Sequence, residues 1–324
     1  MSRPLDRSAL LTAPPDVAPA HPPDRVLAHF VRQLAAACDG QPRWRELVVT
    51  LPTLRRALTK GGRHPASEEP FRWKPAFVRR SLGLAAIEAC RAGRYRSPAE
   101  AVGPVADDAV ATWQRSGWRT YHWEPWLSYQ PAGARAVVLA EATRWATSLW
   151  CAFDWSALGP TVRVGGPDEQ WRCPPNGAVR LRGRVDLRVA GPMGEALVVT
   201  AAGAPPPDSE CDLAFPALVA ALSRPRRSIP RRVVGIWPDA GGHRIVDIGP
   251  SALERIAARV VEGVMAMVAD NDGPLAKGPV RQSSAGGGGY VDDGSGVAGA
   301  SSARAAAVSG FPAAVSGMSA TRSS

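Results

Sequence analysis

The chain has 324 residues, enough for one large domain or two ordinary ones, and 45% of them are hydrophobic, which supports a sizeable core. A net charge of +10 and a pI near 10.1 favour an anionic partner such as nucleic acid. No run approaches the roughly 18 apolar residues of a membrane span, so no membrane partner is expected.

The opening MSRPLDRSALLTAPPDVAPAHPP has neither a basic n-region nor a continuous apolar run. A signal peptide is therefore not expected, and a soluble, cytoplasmic protein is. This Pro-rich stretch lacks periodicity, so residues 1–24 are expected to form a disordered arm. Basic charge concentrates just after it: Arg25 to Arg96 holds 15 Lys+Arg against 5 Asp+Glu. Two explanations stand side by side, a basic functional face and the arginine-rich usage of a GC-rich genome, since only Lys60, Lys74 and Lys277 are lysine.

The first half reads as helices. Arg25–Cys38 places Val26, Phe30, Leu34 and Ala37 on one stripe, and Pro75–Ala92 continues through Val78, Leu82, Ala85 and Ala89. SPAE at 97–100 is a capping box with Ser97 as N-cap, Pro98 at N1 and Glu100 at N3. Ala134–Phe153 is a longer helix through Val138, Ala142, Trp145 and Leu149. After it the period changes to two. Val179, Leu181, Val185, Leu187 and Val189 point one way, and Arg180, Arg182, Arg184, Asp186 and Arg188 the other. Gly191–Gly194 is a turn and Ala196–Ala201 a buried strand. Asp212–Ser223 is helical, Arg232–Trp237 and Arg244–Ile248 are strands, and Ser251–Ala269 is a closing helix with Ser251 as its cap. From Gly273 the chain turns Gly/Ser/Ala-rich (SSAGGGGYVDDGSGVAGA and onward), and 273–324 is expected to be a disordered tail. One folded unit over 25–272 follows, helical over about 25–157 and sheet-based over about 158–272, with one central mixed sheet flanked by helices: an α/β class.

This order, with SLGLAAIEA on a helix, GRVDLR on one strand, LVVTAAGA on the next and DLAFPALVAAL on the following helix, resembles the RecB-like branch of the PD-(D/E)XK nuclease superfamily over roughly Lys74 to Ala269. The resemblance implies two carboxylates on adjacent strands holding Mg²⁺ or Mn²⁺, and a lysine two residues after the second orienting the attacking water. Residue by residue, the first carboxylate is Asp186, the second falls on Thr200, and the lysine falls on Ala202. The histidine of many relatives falls on Ala86 or its neighbour, and the glutamine of the following helix on Asp212. One expected functional side chain survives, and one carboxylate holds Mg²⁺ poorly. Asp186 and Glu88 are thus remnant catalytic candidates, Thr200 and Ala202 are the degenerate positions, Asp186 is the one metal-ligand candidate, and Glu88, Glu195, Asp208 and Glu210 could supply a shifted site.

Arg180, Arg182, Arg184 and Arg188 are the candidate nucleic-acid-binding residues. The alternative is that Asp186 pairs with Arg184 or Arg188 in a solvated ladder. Seven tryptophans fall within Trp113–Trp155; those at helical spacing are expected in the core, whereas the Trp113–Trp126 loop is expected to expose aromatics for DNA or a protein partner. His64, His122 and His243 have no metal-ligand spacing, the cysteines at 38, 90, 151, 173 and 211 give no disulfide framework, and GGPDEQ lacks the lysine of a phosphate loop. Three functions stay open: a nuclease-like DNA-binding protein without cleavage, an active Mg- or Mn-dependent nuclease with a rearranged site, and a protein-interaction module on the same fold. No cofactor is expected unless the site is active, and no small-molecule substrate is indicated.

Overall fold

The structure, a computed structural model, describes residues 4–12, 24–39, 47–60, 74–117, 123–166, 168–174, 177–191, 194–224 and 229–271. These lie within one unit, Met1–Pro274. The expected tail, Trp118, His64 and His122 lie outside the described residues.

The elements run in the order α1 (Arg7–Leu11), α2 (Asp24–Ala37), β1 (Leu47–Val49), α3 (Leu51–Lys60), α4 (Pro75–Arg91), α5 (Pro98–Ser116), α6 (Glu124–Ser128), α7 (Ala132–Cys151) and α8 (Trp155–Leu158). Then come β2 (Val162–Val164), β3 (Glu169–Arg172), β4 (Val179–Gly183), β5 (Leu187–Gly191), β6 (Gly194–Thr200), α9 (Ser209–Ser223), β7 (Arg232–Trp237), β8 (Gly242–Asp247) and α10 (Pro250–Asn271). The fold is mixed α/β. Among the described residues, no helix is long and apolar enough to cross a membrane.

Local chemistry accounts for the helix ends. Ser97 Oγ accepts from the Glu100 backbone N–H (3.4 Å), and Gly117, in the left-handed region at φ 70°, closes α5. The closing helix begins at Pro250, so Ser251 lies inside it; the Gly249 carbonyl accepts from Ala252 and Leu253 instead (3.1 Å each).

Among the described residues, two sheets replace the single one expected. Five strands run β2-β5-β6-β7-β8, mixed because β6 and β7 are parallel across α9, while the other neighbours are antiparallel. Three more run β1-β4-β3. The alternating stretch Val179–Val189 is therefore not one strand: β4 belongs to the small sheet, β5 to the large one, and Arg184–Asp186 steps between them. Burial shows the reason. Val185, Asp186 and Leu187 are buried in succession, so the alternation of buried and outward residues seen along β4 ends there. Gly183 marks the break, since a Cβ there would lie 3.1 Å from Val219 Cβ and 3.3 Å from Pro216 Cα of α9.

Helices cover both faces of the large sheet. On β6, Leu197 packs with Phe215, Leu218, Ile256 and Val260 of α9 and α10, while its neighbours Ala196 and Val198 pack with Leu84, Ile87, Trp145 and Leu149 of α4 and α7. A third apolar layer joins α4, α5 and α7 through Val78, Leu82, Val102 and Val138. Here α4 and α7 meet at Gly83, where a Cβ would stand 2.5 Å from Trp145 Cε3. Gly83→Ala should therefore destabilise: overpacking costs about 1–3 kcal/mol, and helix propensity returns at most about 1 kcal/mol. Urea unfolding of the variant checks this; an equal or higher midpoint would mean that Trp145 yields freely.

Two further expectations are corrected. Within the expected arm 1–24, Pro4–Thr12 docks on the fold: Asp6 caps α1 by accepting from Ala9 N (2.8 Å), and Leu5 bridges to Phe153. Leu10 is fully buried against the large sheet. The Trp113–Trp126 stretch is likewise not an exposed loop throughout, because Trp113 lies on α5 and Trp123 is fully buried. Trp145 is core as expected.

Candidate functional site

Asp186 stands where the two sheets diverge, on the three-residue step between β4 and β5. Its backbone is held first: its N–H donates to Val198 O (2.8 Å), and its carbonyl accepts from Gly165 N (2.7 Å). That geometry turns the carboxylate into the protein, where its exposure is 0%.

A buried carboxylate must be paired or neutralised. Asp186 Oδ2 accepts from the Thr200 backbone N–H (2.5 Å) and from Thr200 Oγ1 (2.8 Å) at the end of β6. Oδ1 accepts from both Nε and Nη2 of Arg80 on α4. Arg184 Nη2 lies 3.8 Å from Oδ2 and donates to the Thr200 carbonyl (2.5 Å). Burial pushes the Asp186 carboxyl up, but Arg80, Arg184 and the two Thr200 hydrogen bonds outweigh it and hold the group below its ordinary value. Arg184 is drawn downward by burial and by Arg80, against the opposing pull of Asp186 and Asp168.

The position matched to a second carboxylate is thus the hydroxyl partner of the first. Thr200 is 2% exposed. Ala202, two residues on, is exposed, and Ala86 is buried in the layer between α4, α5 and α7. Asp212, in the first turn of α9, is buried and accepts from Nε and Nη2 of Arg55 (2.6 Å each), with Arg259 Nη1 4.0 Å away. It ties α3, α9 and α10 together and belongs to a separate cluster. Glu88 is exposed and pairs with Arg91 (3.2 Å), Asp208 lies 3.7 Å from Arg259, and Glu210 is exposed. Among the described residues, no group of three or more His, Cys, Asp and Glu is placed to hold a metal ion.

The four arginines separate. Arg188 and Arg224 bracket Glu169 and Glu195 in a network that links β3, β5, β6 and the end of α9, with Ser223 Oγ donating to Glu169 (2.6 Å). Arg180 lies half-buried on β4. Arg182 is 51% exposed beside Asp168 (2.8 Å), and Arg184 is 40% exposed. The outward basic groups at this locus are therefore Arg182, Arg184 and the edge of Arg80, which is 21% exposed. Asp186 does meet Arg184, as one sequence alternative had it, but in a buried setting and not a solvated ladder.

Arg80 is the residue that sequence reasoning missed. It lies at i−4 and i−7 from Leu84 and Ile87, both of which pack on the large sheet. A basic residue on that core-facing stripe, in a chain with one surviving carboxylate, was the available signal.

The donor set tests the metal that the resemblance implies. Mg²⁺ needs several oxygens in near-octahedral order. Here Asp186 has both oxygens engaged, with the Arg80 guanidinium at Oδ1 and that of Arg184 near Oδ2. These residues do not fit a divalent ion while Arg80 is in place. Comparison of the chain with protein-family models gives no match, and comparison with curated proteins gives none.

Proposed function

We propose that this chain is a nuclease-like DNA-binding protein, similar in plan to the RecB-like PD-(D/E)XK nucleases, that does not cleave DNA. The observation that carries the reading is the pairing of Asp186 with Arg80 and Thr200: the one surviving carboxylate is bound internally, both of its oxygens accepting from protein donors. The order of elements agrees with the resemblance, with Asp186 before β5 and Thr200 at the end of β6, followed by α9 and a strand parallel to β6. Binding is supported by the outward arginines beside this locus and by the +10 net charge.

The test is incubation of the full chain with labelled single- and double-stranded DNA, with Mg²⁺ or Mn²⁺, across a salt series. No cleavage of either form is expected, and binding should weaken steeply with salt. Arg182→Ala combined with Arg184→Ala should weaken binding to all sequences and lower the salt slope by about one to two units, as loss of one or two phosphate contacts does. Cleavage that Asp186→Ala abolishes would establish an active nuclease. Absence of DNA binding near about 100 mM salt, where the Debye length is about 10 Å, would favour the protein-interaction module.

A further inference from the structure

We infer that Arg80 is a built-in cation that makes this locus a metal-independent receptor for a phosphate group, with Arg184 as the contacting residue. The inference deepens the DNA-binding reading and rests on it for the source of the phosphate, a nucleic-acid backbone.

The charges set the first step. Two carboxylates, Asp186 and Asp168, face three guanidiniums, Arg80, Arg184 and Arg182, so the cluster carries net positive charge with no ion added. Depth sets the second. Asp186 is fully buried, while Arg80 and Arg184 are 21% and 40% exposed, so the anion lies beneath and the cations face outward. An arriving phosphate meets guanidinium before it meets carboxylate.

Donor geometry sets the third. Among the described residues, the hydrogen bonds of Arg184 use Nη2 alone, on Thr200 O and Oγ1, and those of Arg80 use Nε and Nη2. Nε–H and Nη1–H of Arg184 therefore remain as charge-assisted donors for an anion; they point to different edges of the guanidinium, so each offers a single bond. Arg80 adds charge and Nη1. Asp186 and Thr200 act as positioning residues: the Thr200 carbonyl fixes Arg184, and the Asp186 carboxylate fixes Arg80. The pattern predicts that chelation of metal leaves the site intact.

The full chain, labelled with ¹⁵N-arginine, is titrated with inorganic phosphate in EDTA and again in Mg²⁺, following the Nε–H resonances by NMR. Arg184→Gln identifies the Arg184 resonance by its disappearance. Phosphate should shift that resonance equally in EDTA and Mg²⁺. In Arg184→Gln, the phosphate affinity read at Arg80 Nε–H should fall about tenfold, the loss expected for removing a charge-assisted hydrogen bond. Arg184→Lys, which keeps the charge but not the guanidinium donors, should fall between the two. A response that requires Mg²⁺, or no response of Arg184 at any phosphate concentration, overturns the inference. A short single-stranded oligonucleotide then separates the two claims. If it binds without moving the Arg184 resonance, the receptor is wrong and the DNA reading stands; if phosphate moves that resonance and the oligonucleotide does not bind, the receptor stands and the DNA reading fails.

Discussion

Arg80→Leu is expected to cost the folded protein about 3–5 kcal/mol at neutral pH, the range for removing one partner of a buried ion pair. The loss comes chiefly from Asp186, left as a carboxylate with no solvent exposure. Thr200 still donates twice, and Arg184 at 3.8 Å can take over part of the pairing, which sets the expected value toward the lower end. The pH dependence separates this cause from lost packing of the Arg80 stem. In the parent, the Asp186 carboxyl is held below its ordinary value, so its contribution is fully present above the unfolded value of about 3.9 and is lost as pH falls through the folded value. Without Arg80 the burial penalty dominates, so acid relieves the variant by protonating Asp186. The stability gap between parent and variant should therefore narrow as pH falls toward about 4 and below. Adding Asp186→Asn to Arg80→Leu should recover most of the loss, because a neutral amide needs no counter-charge. Urea unfolding over a pH series measures all three proteins. A gap that is constant with pH, or a double variant as weak as the single, would show that Arg80 acts through packing.

What the sequence disclosed follows the range of the interactions involved. The helices α2, α4, α5, α7, α9 and α10 were legible because a repeat near 3.6 and local chemistry such as Ser97 and Pro98 write them into adjacent residues. The short strands β1, β2 and β3, of three or four residues, were not, since so few positions carry no period. The alternation of Val179–Val189 correctly gave the buried and outward residues of β4, but not the break after Gly183. That break depends on α9 pressing on Gly183 and on β6 drawing Asp186 inward, both encoded elsewhere in the chain. The candidate site divides in the same way. Asp186 and Thr200 were found through neighbouring motifs, whereas Arg80 lies 106 residues from its partner: the α4 stripe marks it as inward-facing, but does not say which group it meets. Trp123 shows the converse failure: it stands in an aperiodic stretch, yet tertiary contacts with the α4–α5–α7 layer bury it completely.

The N-terminal segment is where sequence reasoning erred most, and it yields the other large expected effect: Leu10→Ala should lower stability by about 2–5 kcal/mol, the range for truncating a fully buried leucine. A five-residue helix is far too short to form alone, so α1 exists through its docking. Three contacts specify that docking. Asp6 caps the first turn, Arg232 Nη1 of β7 donates to the Ala9 carbonyl (2.7 Å), and Leu5 exchanges backbone hydrogen bonds with Ala152 and Asp154 (2.9 Å each). With the backbone held this way, Leu10 enters the layer formed by Leu187, Val189, Ala196 and Val198, and Leu11 lies so near Gly191 that a Cβ there would be 2.7 Å from its Cδ1. Alanine at position 10 would leave a cavity that these β-strand side chains, fixed by the ladder, can close only in part. Ser8, exposed on the opposite side of the turn, supplies the control, and Ser8→Ala should stay within about 0.5 kcal/mol of the parent. Deleting residues 1–12 should lower the thermal midpoint as well, since it removes Leu5, Leu10 and Leu11 together. If both Leu10→Ala and the deletion unfold with the parent's midpoint, the segment does not dock and the large sheet is stable with that face uncovered.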